Sequence, residues 1–116
     1  MFSVRYVIYD DDGNIFYSQE LKQEGSSAIL CRYDEEDIYP ILSEITTFDI
    51  ERFYSTEMDS LIQELLKLKR TLTKDFEVIY VNEIISLCQK CKERNKGQVV
   101  FNPFTDIIKI GSKEKN

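Results

Sequence analysis

The stretch "FSVRYVIYDDDGNIFYSQ", residues 2–19, decides the fold because it predicts two strands joined by a tight turn. The acidic "DDDGN" at its centre is typical of a turn, with Gly13 and Asn14 free to take positive φ. "IFYSQ" is then expected to return as the second strand of a hairpin. Apolar or aromatic side chains occupy every second position of the first half, at the period of a strand with one buried face: Phe2, Val4, Tyr6 and Ile8.

Working outward from the hairpin, three shorter segments have recognisable local patterns. Residues 28–33 ("AILCRY") are a short apolar run of strand type, and residues 98–104 ("QVVFNPF") predict a last strand. Residues 38–45 predict a short helix, because Asp37 is placed to cap it and proline is tolerated in a first helical turn.

The clearest helix is predicted from Thr56 to about Leu72, where apolar residues recur at helical spacing. Thr56 with Asp59 resembles a capping box at its start. Residues 76–81 ("FEVIYV") fit either a strand or an early helix start. Asn82 is then a candidate N-cap for a further helix, "EIISLCQKCKERN".

These elements predict an α+β fold: an antiparallel sheet of three to four strands with two to three helices packed on one face. The 116 residues are expected to form a single domain over 1–110, with 111–116 as a loose tail. No stretch approaches the roughly 20 apolar residues of a membrane span, and the N-terminus does not read as a signal peptide. The expected location is therefore the cytoplasm.

The residue types present argue against most catalytic and metal chemistry. The chain has no histidine, the commonest general base and metal ligand, and its four glycines are scattered singly. Cys88-x-x-Cys91 could belong to a metal or redox site, but both cysteines lie late in a predicted helix and Cys88 continues its apolar face, which favours packing. Asp10 to Asp12 look slightly like a calcium loop, but residue 21 is Leu where that loop needs a glutamate. We expect no catalytic residue, no bound metal and no cofactor.

The charge is concentrated in one part of the chain. The net charge is −6, and residues 34–59 alone hold nine acidic side chains and one arginine, a local charge of −8. Such a segment repels nucleic acid and attracts a basic protein surface. Residues 46–54 read as an irregular connection in which Asp49 caps a single turn. Five aromatic residues lie within or beside this acidic stretch: Tyr33, Tyr39, Phe48, Phe53 and Tyr54.

Residues 31–104 resemble a family of small bacterial immunity-type proteins encoded beside polymorphic or contact-dependent toxins. "YPILSEI", residues 39–45, is similar to the family's "PLLSEL"-like motif, and Asp49 matches the acid that follows it. A leucine-rich helix, the "IISLC" helix and the strand "VVFNPF" continue the pattern. The family's "FIGD"-like ending is "FNPF" in this chain.

The resemblance implies a non-enzymatic protein that binds a cognate toxin domain and blocks it. A nuclease toxin is basic, so an acidic surface with aromatic anchors would suit it. No direct contact with nucleic acid or membrane is expected. The residues expected to face the toxin are Asp34, Glu35, Glu36, Asp37, Asp49 and Glu51, with Tyr39 and Tyr54 as aromatic anchors.

Three other interpretations remain open on the sequence. The acidic run could be an ordinary solvated face. The protein could be a small adaptor or regulatory domain that binds an endogenous basic protein. It could also be an enzyme that uses carboxylates and a divalent metal, which the absence of histidine disfavours. The gene beside this one would separate the immunity protein from the adaptor, and tight metal binding would indicate the enzyme.

Overall fold

The N-terminal hairpin forms one half of a four-stranded antiparallel sheet. A computed structural model describes residues 2–21, 27–94 and 97–104. The expected loose tail at 111–116 lies outside these residues. The strands are β1 (Ser3–Tyr9), β2 (Ile15–Glu20), β3 (Glu51–Tyr54) and β4 (Gly97–Asn102), and the helices are α1 (Ser27–Leu30), α2 (Met58–Lys69) and α3 (Asp75–Glu93).

The strand order is β2-β1-β4-β3, so β4, the last of the described strands in chain order, lies inside the sheet. β4 pairs antiparallel with β1 and with β3, and Val99 faces Tyr6 on one side and Phe53 on the other. Directly opposed residues in antiparallel strands point to the same face. These three side chains therefore belong to one continuous inner surface. The architecture is the predicted α+β fold.

Positive φ was expected at Gly13 and Asn14 in the turn between β1 and β2, and the structure confirms it for Gly13 alone. Gly13 has a φ of +83°, a conformation in which a side chain would be strained. Asn14 does not share it, since among the described residues only a glycine has positive φ. The Asp10 carboxylate instead accepts hydrogen bonds from the amides of Asp12 and Asn14, at 3.0 and 2.8 Å.

The core lies between the inner face of the sheet and the helices. α3 packs against β1 and β4, and α2 packs against α3. Burying a large aliphatic side chain stabilises the fold by about 1.5–3 kcal/mol relative to leaving it exposed. The most deeply buried side chains from the strands and α2 are Val4, Tyr6, Phe53, Met58, Leu61, Leu65, Leu68, Val99 and Phe101.

Two segments have a different structure from the one predicted. Residues 28–33 were expected to be a strand, but α1 (Ser27–Leu30) is a single helical turn. The Arg32 side chain donates a hydrogen bond to the carbonyl of Ile29 at 3.1 Å, so this backbone acceptor is satisfied locally, and Ile29 and Leu30 are both buried. Residues 38–45 contain only a 3₁₀ turn, Leu42–Glu44, which no side chain caps, so Asp37 is not an N-cap.

The two long helices confirm the helical pattern but correct its boundaries. Residues 76–81 are helical because α3 begins at Asp75, so Asn82 is an exposed mid-helix residue and not a cap. The expected capping box is also wrong, because the carboxylate of Glu57 bonds the amide of Tyr54 at 3.0 Å. In the described part of the chain, no helix combines the length and apolar character that a membrane span requires.

A buried carboxylate joins the middle of the chain to α2. Glu64 is 7% exposed and lies on the core side of the helix. Its carboxylate accepts hydrogen bonds from the backbone amides of Ile41, at 2.9 and 3.0 Å, and Leu42, at 2.9 Å. Hydrogen bonds to a charged acceptor are stronger than neutral ones, so this contact holds the start of the 3₁₀ turn against the core.

The cysteines of α3 are core residues. Cys88 and Cys91 are both fully buried, while Cys31 is half-buried. Burial raises the pKa of Cys88, with Cys91 as a weaker cause, and raises the pKa of Cys91 to about 11. Both thiols are therefore neutral at physiological pH and poorly suited to redox or metal chemistry.

We predict that Glu64→Gln lowers the free energy of unfolding by about 1–3 kcal/mol, because an amide cannot accept all three hydrogen bonds. Urea unfolding measures the effect, with the exposed Glu36→Gln as the matched control. Equal stability of the two variants would show that the carboxylate does not hold the 3₁₀ turn.

We predict that replacing Cys88 and Cys91 together by Ala costs about 1–3 kcal/mol, as small truncations in a core do. Partner binding should survive, and in the wild-type protein Cys31 should react first with a thiol reagent. A double variant of full stability that loses binding would point instead to thiol chemistry.

Candidate partner-binding surface

The acidic loop that opens the candidate surface is held in shape by its own backbone. The carbonyl of Glu35 accepts hydrogen bonds from the amides of Ile38 and Tyr39, at 3.0 and 2.8 Å. The Glu35 side chain is half-buried and forms an ion pair with Arg32 at 3.2 Å. The remaining acids of the run, Asp34, Glu36 and Asp37, are exposed and available to a partner.

Tyr39 is not available as an aromatic anchor, contrary to the sequence expectation. It is 4% exposed and belongs to the core cluster, with the ammonium of Lys67 lying 5.9 Å from the centre of its ring. Ile41 lies two residues after Tyr39, and its amide donates a hydrogen bond to the carboxylate of Glu64 on α2. This contact holds the segment against the core. The sequence pattern did not reveal this burial because the contact that causes it is non-local.

Two aromatic side chains that were not predicted as anchors are exposed beside a cavity. Tyr33 is 66% exposed and Phe48 is 78% exposed. The cavity between the two loops that carry them has a volume of about 390 Å³, and its lining consists of Ala28, Cys31, Tyr33, Thr46, Thr47 and Phe48. Each aromatic residue directly precedes an exposed acid in the chain, which is a usable sequence signal for a surface anchor.

The loop bearing Phe48 is ordered by a threonine hydroxyl. The side-chain oxygen of Thr46 accepts hydrogen bonds from the amides of Phe48 and Asp49, both at 3.2 Å. Such a bond fixes a turn and competes with helix formation. Asp49 therefore does not cap a turn, and its side chain is exposed. Residues 51–54, which were expected to be part of an irregular connection, form β3.

A group of carboxylates lies at the start of β3. Burial raises the pKa of Glu51, and the charges of Glu44 and Asp49 raise it further. Glu51 is thus repelled by both of these acids, although Glu44 was not among the predicted site residues. Glu51 shares the inner face with Phe53, while Tyr54 is 52% exposed on the outer face, so Tyr54 projects away from this group.

Residues 2–21, 27–94 and 97–104 contain no group of three side chains that could hold a metal ion. Comparison with protein families, curated proteins and solved structures finds no match to this chain. The interpretation of the surface accordingly depends on its own chemistry. Exposed carboxylates next to exposed aromatic rings suit a cationic, partly apolar protein surface.

We predict that Glu51→Gln raises the free energy of unfolding by about 0.5 kcal/mol near pH 7, because it removes repulsion at a half-exposed site. The folded-state pKa of Glu51 lies above its usual 4.5, so the wild-type penalty is present above that raised pKa and disappears below the usual value. The gain should therefore shrink as the solution is acidified through this window, and also as salt is added.

Urea unfolding of both proteins over a pH series measures this difference, with the exposed Asp12→Asn as control. A gain that grows on acidification would contradict the assignment of repulsion at Glu51.

Proposed function

We propose that this protein is an immunity-type inhibitor, which binds a basic toxin domain through the acidic-aromatic surface. That surface consists of Tyr33, Asp34, Glu36, Asp37, Phe48 and Asp49, with Glu44 and Glu51 at its margin. The observation that carries the proposal is the pair of exposed rings, Tyr33 and Phe48, bordering a cavity of about 390 Å³ within the acidic part of the chain.

The exposed acids would govern the approach of the toxin. Asp34, Glu36 and Asp37 are exposed, and residues 34–59 carry a local charge of −8. Complementary charge speeds encounter and selects between partners more than it adds final affinity. A nuclease domain is an apt partner because its substrate is a chain of phosphates, which requires a basic surface.

The aromatic residues would supply most of the binding energy. A ring that is exposed in the free protein gains the full benefit of burial on binding, and aromatic residues are enriched among interface hot spots. The cavity beside Tyr33 and Phe48 has threonine hydroxyls and aromatic carbons in its lining. An arginine or lysine side chain of the toxin would fit these groups, since its stem is apolar and its charged end attracts ring faces.

On this proposal the inhibitor acts by occupying the basic surface of the toxin, and it catalyses no reaction. The acids would take the place of the phosphates on the toxin, so that the substrate is excluded from the same basic surface. The inhibitor would act in the cytoplasm of the cell that makes the toxin. An adaptor that binds an endogenous basic protein would use the same surface, and the biological test separates the two.

The test is to express the neighbouring open reading frame with and without this protein. The proposal expects growth arrest by the neighbouring product alone, rescue by this protein, and a complex of the two after purification. A harmless neighbour, together with a stable complex with a basic housekeeping protein, would establish the adaptor instead.

We predict that reversing Glu36 and Asp37 to Lys leaves the fold intact, because both side chains are exposed. Association with the toxin should slow, and affinity should fall by at least about tenfold, roughly 1.4 kcal/mol. Glu35 is left unchanged because its reversal would break the ion pair with Arg32.

The matched control reverses Asp12 and Glu93, two exposed acids near the β2 edge of the sheet, with the same change in charge. Binding kinetics at two ionic strengths and circular dichroism provide the readout. The proposed surface is wrong if both pairs of reversals change the kinetics equally.

We predict that Phe48→Ala keeps wild-type stability within about 0.5 kcal/mol and weakens toxin binding by about 2 kcal/mol or more, mainly through faster dissociation. The control is Phe76→Ala at the start of α3, where the ring is 57% exposed. Calorimetry against the purified toxin measures both variants. Full affinity of the Phe48 variant would remove the cavity from the interface.

A further inference from the structure

A second cavity lies at the opposite edge of the sheet, between β2 and the last turn of α3. It forms because α3 packs against β1 and β4 and leaves the inner side of β2 partly uncovered. Its volume is about 380 Å³, within the range of small-ligand sites. Three aromatic and three charged side chains contribute to its lining: Tyr6, Phe16, Tyr17, Lys90, Glu93 and Arg94.

The Tyr6 hydroxyl is a buried polar group without a partner at this cavity. Tyr6 is 2% exposed, and its oxygen has no hydrogen-bond partner within residues 2–21, 27–94 and 97–104. Tyr6 itself lines the cavity, together with Arg94 and Glu93. Burial raises the pKa of Tyr6 and keeps it a neutral donor. An unpaired buried hydroxyl is costly, and a ligand oxygen would satisfy it.

The charged groups at the cavity favour an anion in a protein that is acidic overall. Lys90 donates to the side-chain oxygen of Gln19 at 2.7 Å and retains two further donors. The Arg94 guanidinium makes no ion pair with any described residue, and its five donors suit an oxyanion. Glu93 is the one opposing charge in the lining, so this lining has a net charge of +1.

The walls of the cavity favour a flat apolar body. Phe16 is 72% exposed and Tyr17 is 44% exposed, and the pairing of β2 with β1 shifts by one residue at Phe16. Such a bulge lets two consecutive side chains lie on the same side of the strand. Tyr17 contacts Tyr6 edge to face, with 5.9 Å between ring centres. Further aromatic rings pack well in such a cluster, because offset and edge-to-face contacts stabilise it beyond simple burial.

We propose that this cavity binds a small planar aromatic carboxylate. Its ring would pack against Phe16 and Tyr17, and its carboxylate would accept hydrogen bonds from Arg94, Lys90 and the Tyr6 hydroxyl. The site is separate from the acidic-aromatic surface and does not depend on the proposed inhibition of a toxin. It is a recognition site, and no bond is made or broken in it.

The probe for this site is naphthoate, and its uncharged amide, naphthamide, is the matched control ligand. Amide chemical shifts followed by NMR during titration give both the affinity and the location. We expect naphthoate to bind with a Kd of about 1 mM or tighter, with shifts in β2 and the last turn of α3, and naphthamide to bind at least about fivefold more weakly.

Variants separate the roles of the groups. Arg94→Gln should weaken naphthoate at least about fivefold and leave naphthamide unchanged. Tyr6→Phe should weaken naphthoate about threefold and leave the protein equally or more stable, since an unpaired hydroxyl is removed. Lys92→Gln is the control on the same helical turn, because Lys92 pairs with Asp59 at 2.6 Å and lies outside the cavity lining.

Equal binding of naphthoate and naphthamide, or an Arg94→Gln variant with unchanged naphthoate affinity, would overturn the carboxylate site. Shifts confined to other parts of the protein, or self-association in place of ligand binding, would also overturn it. If Tyr6→Phe fails to fold, the Arg94→Gln comparison still decides the question.

Discussion

The buried carboxylate of Glu64 is the contact that fixes the path of the middle of the chain. It accepts hydrogen bonds from two consecutive backbone amides, those of Ile41 and Leu42. A buried carboxylate without partners would be strongly destabilising, and buried amides without acceptors would be as well. Helix and loop therefore depend on each other, because neither group can be desolvated alone. The loops that carry the candidate interface extend from both sides of this point.

This anchoring explains which aromatic residues face solvent. The chain enters the core at Tyr39 and leaves it after Ile45, and both of these side chains are buried. Tyr33 lies before this buried segment and Phe48 after it, so both remain outside with the acids beside them. The same contact thus stabilises the fold and separates a structural tyrosine from two surface rings. The division between core and surface here does not follow the local sequence pattern.

The elements that sequence reasoning could predict are those with a local period. The first hairpin strand and α2 show alternation or helical spacing over enough residues to define a face, and β4 is recognisable as a short run of β-branched and aromatic residues. β3 has only four residues and pairs solely with β4 among the described strands, so its existence depends on a distant partner. The acidic character of the site and the pairs Tyr33–Asp34 and Phe48–Asp49 were visible in the sequence, but the sequence did not show that Tyr39 is buried. Burial of Tyr39 and the repulsion at Glu51 both arise from residues far away or across a turn.

The interior position of β4 affects how the protein folds during its synthesis. During synthesis β3 emerges from the ribosome well before residues 97–102, and until then it has no described strand to pair with. Closing the long loop between β3 and β4 costs conformational entropy before the contacts between the two strands can stabilise it. The helical hairpin of α2 and α3 is local and can form earlier. A nascent chain that stops short of β4 therefore lacks the edge on which the acidic loops lie, so the candidate surface cannot assemble until β4 has been inserted.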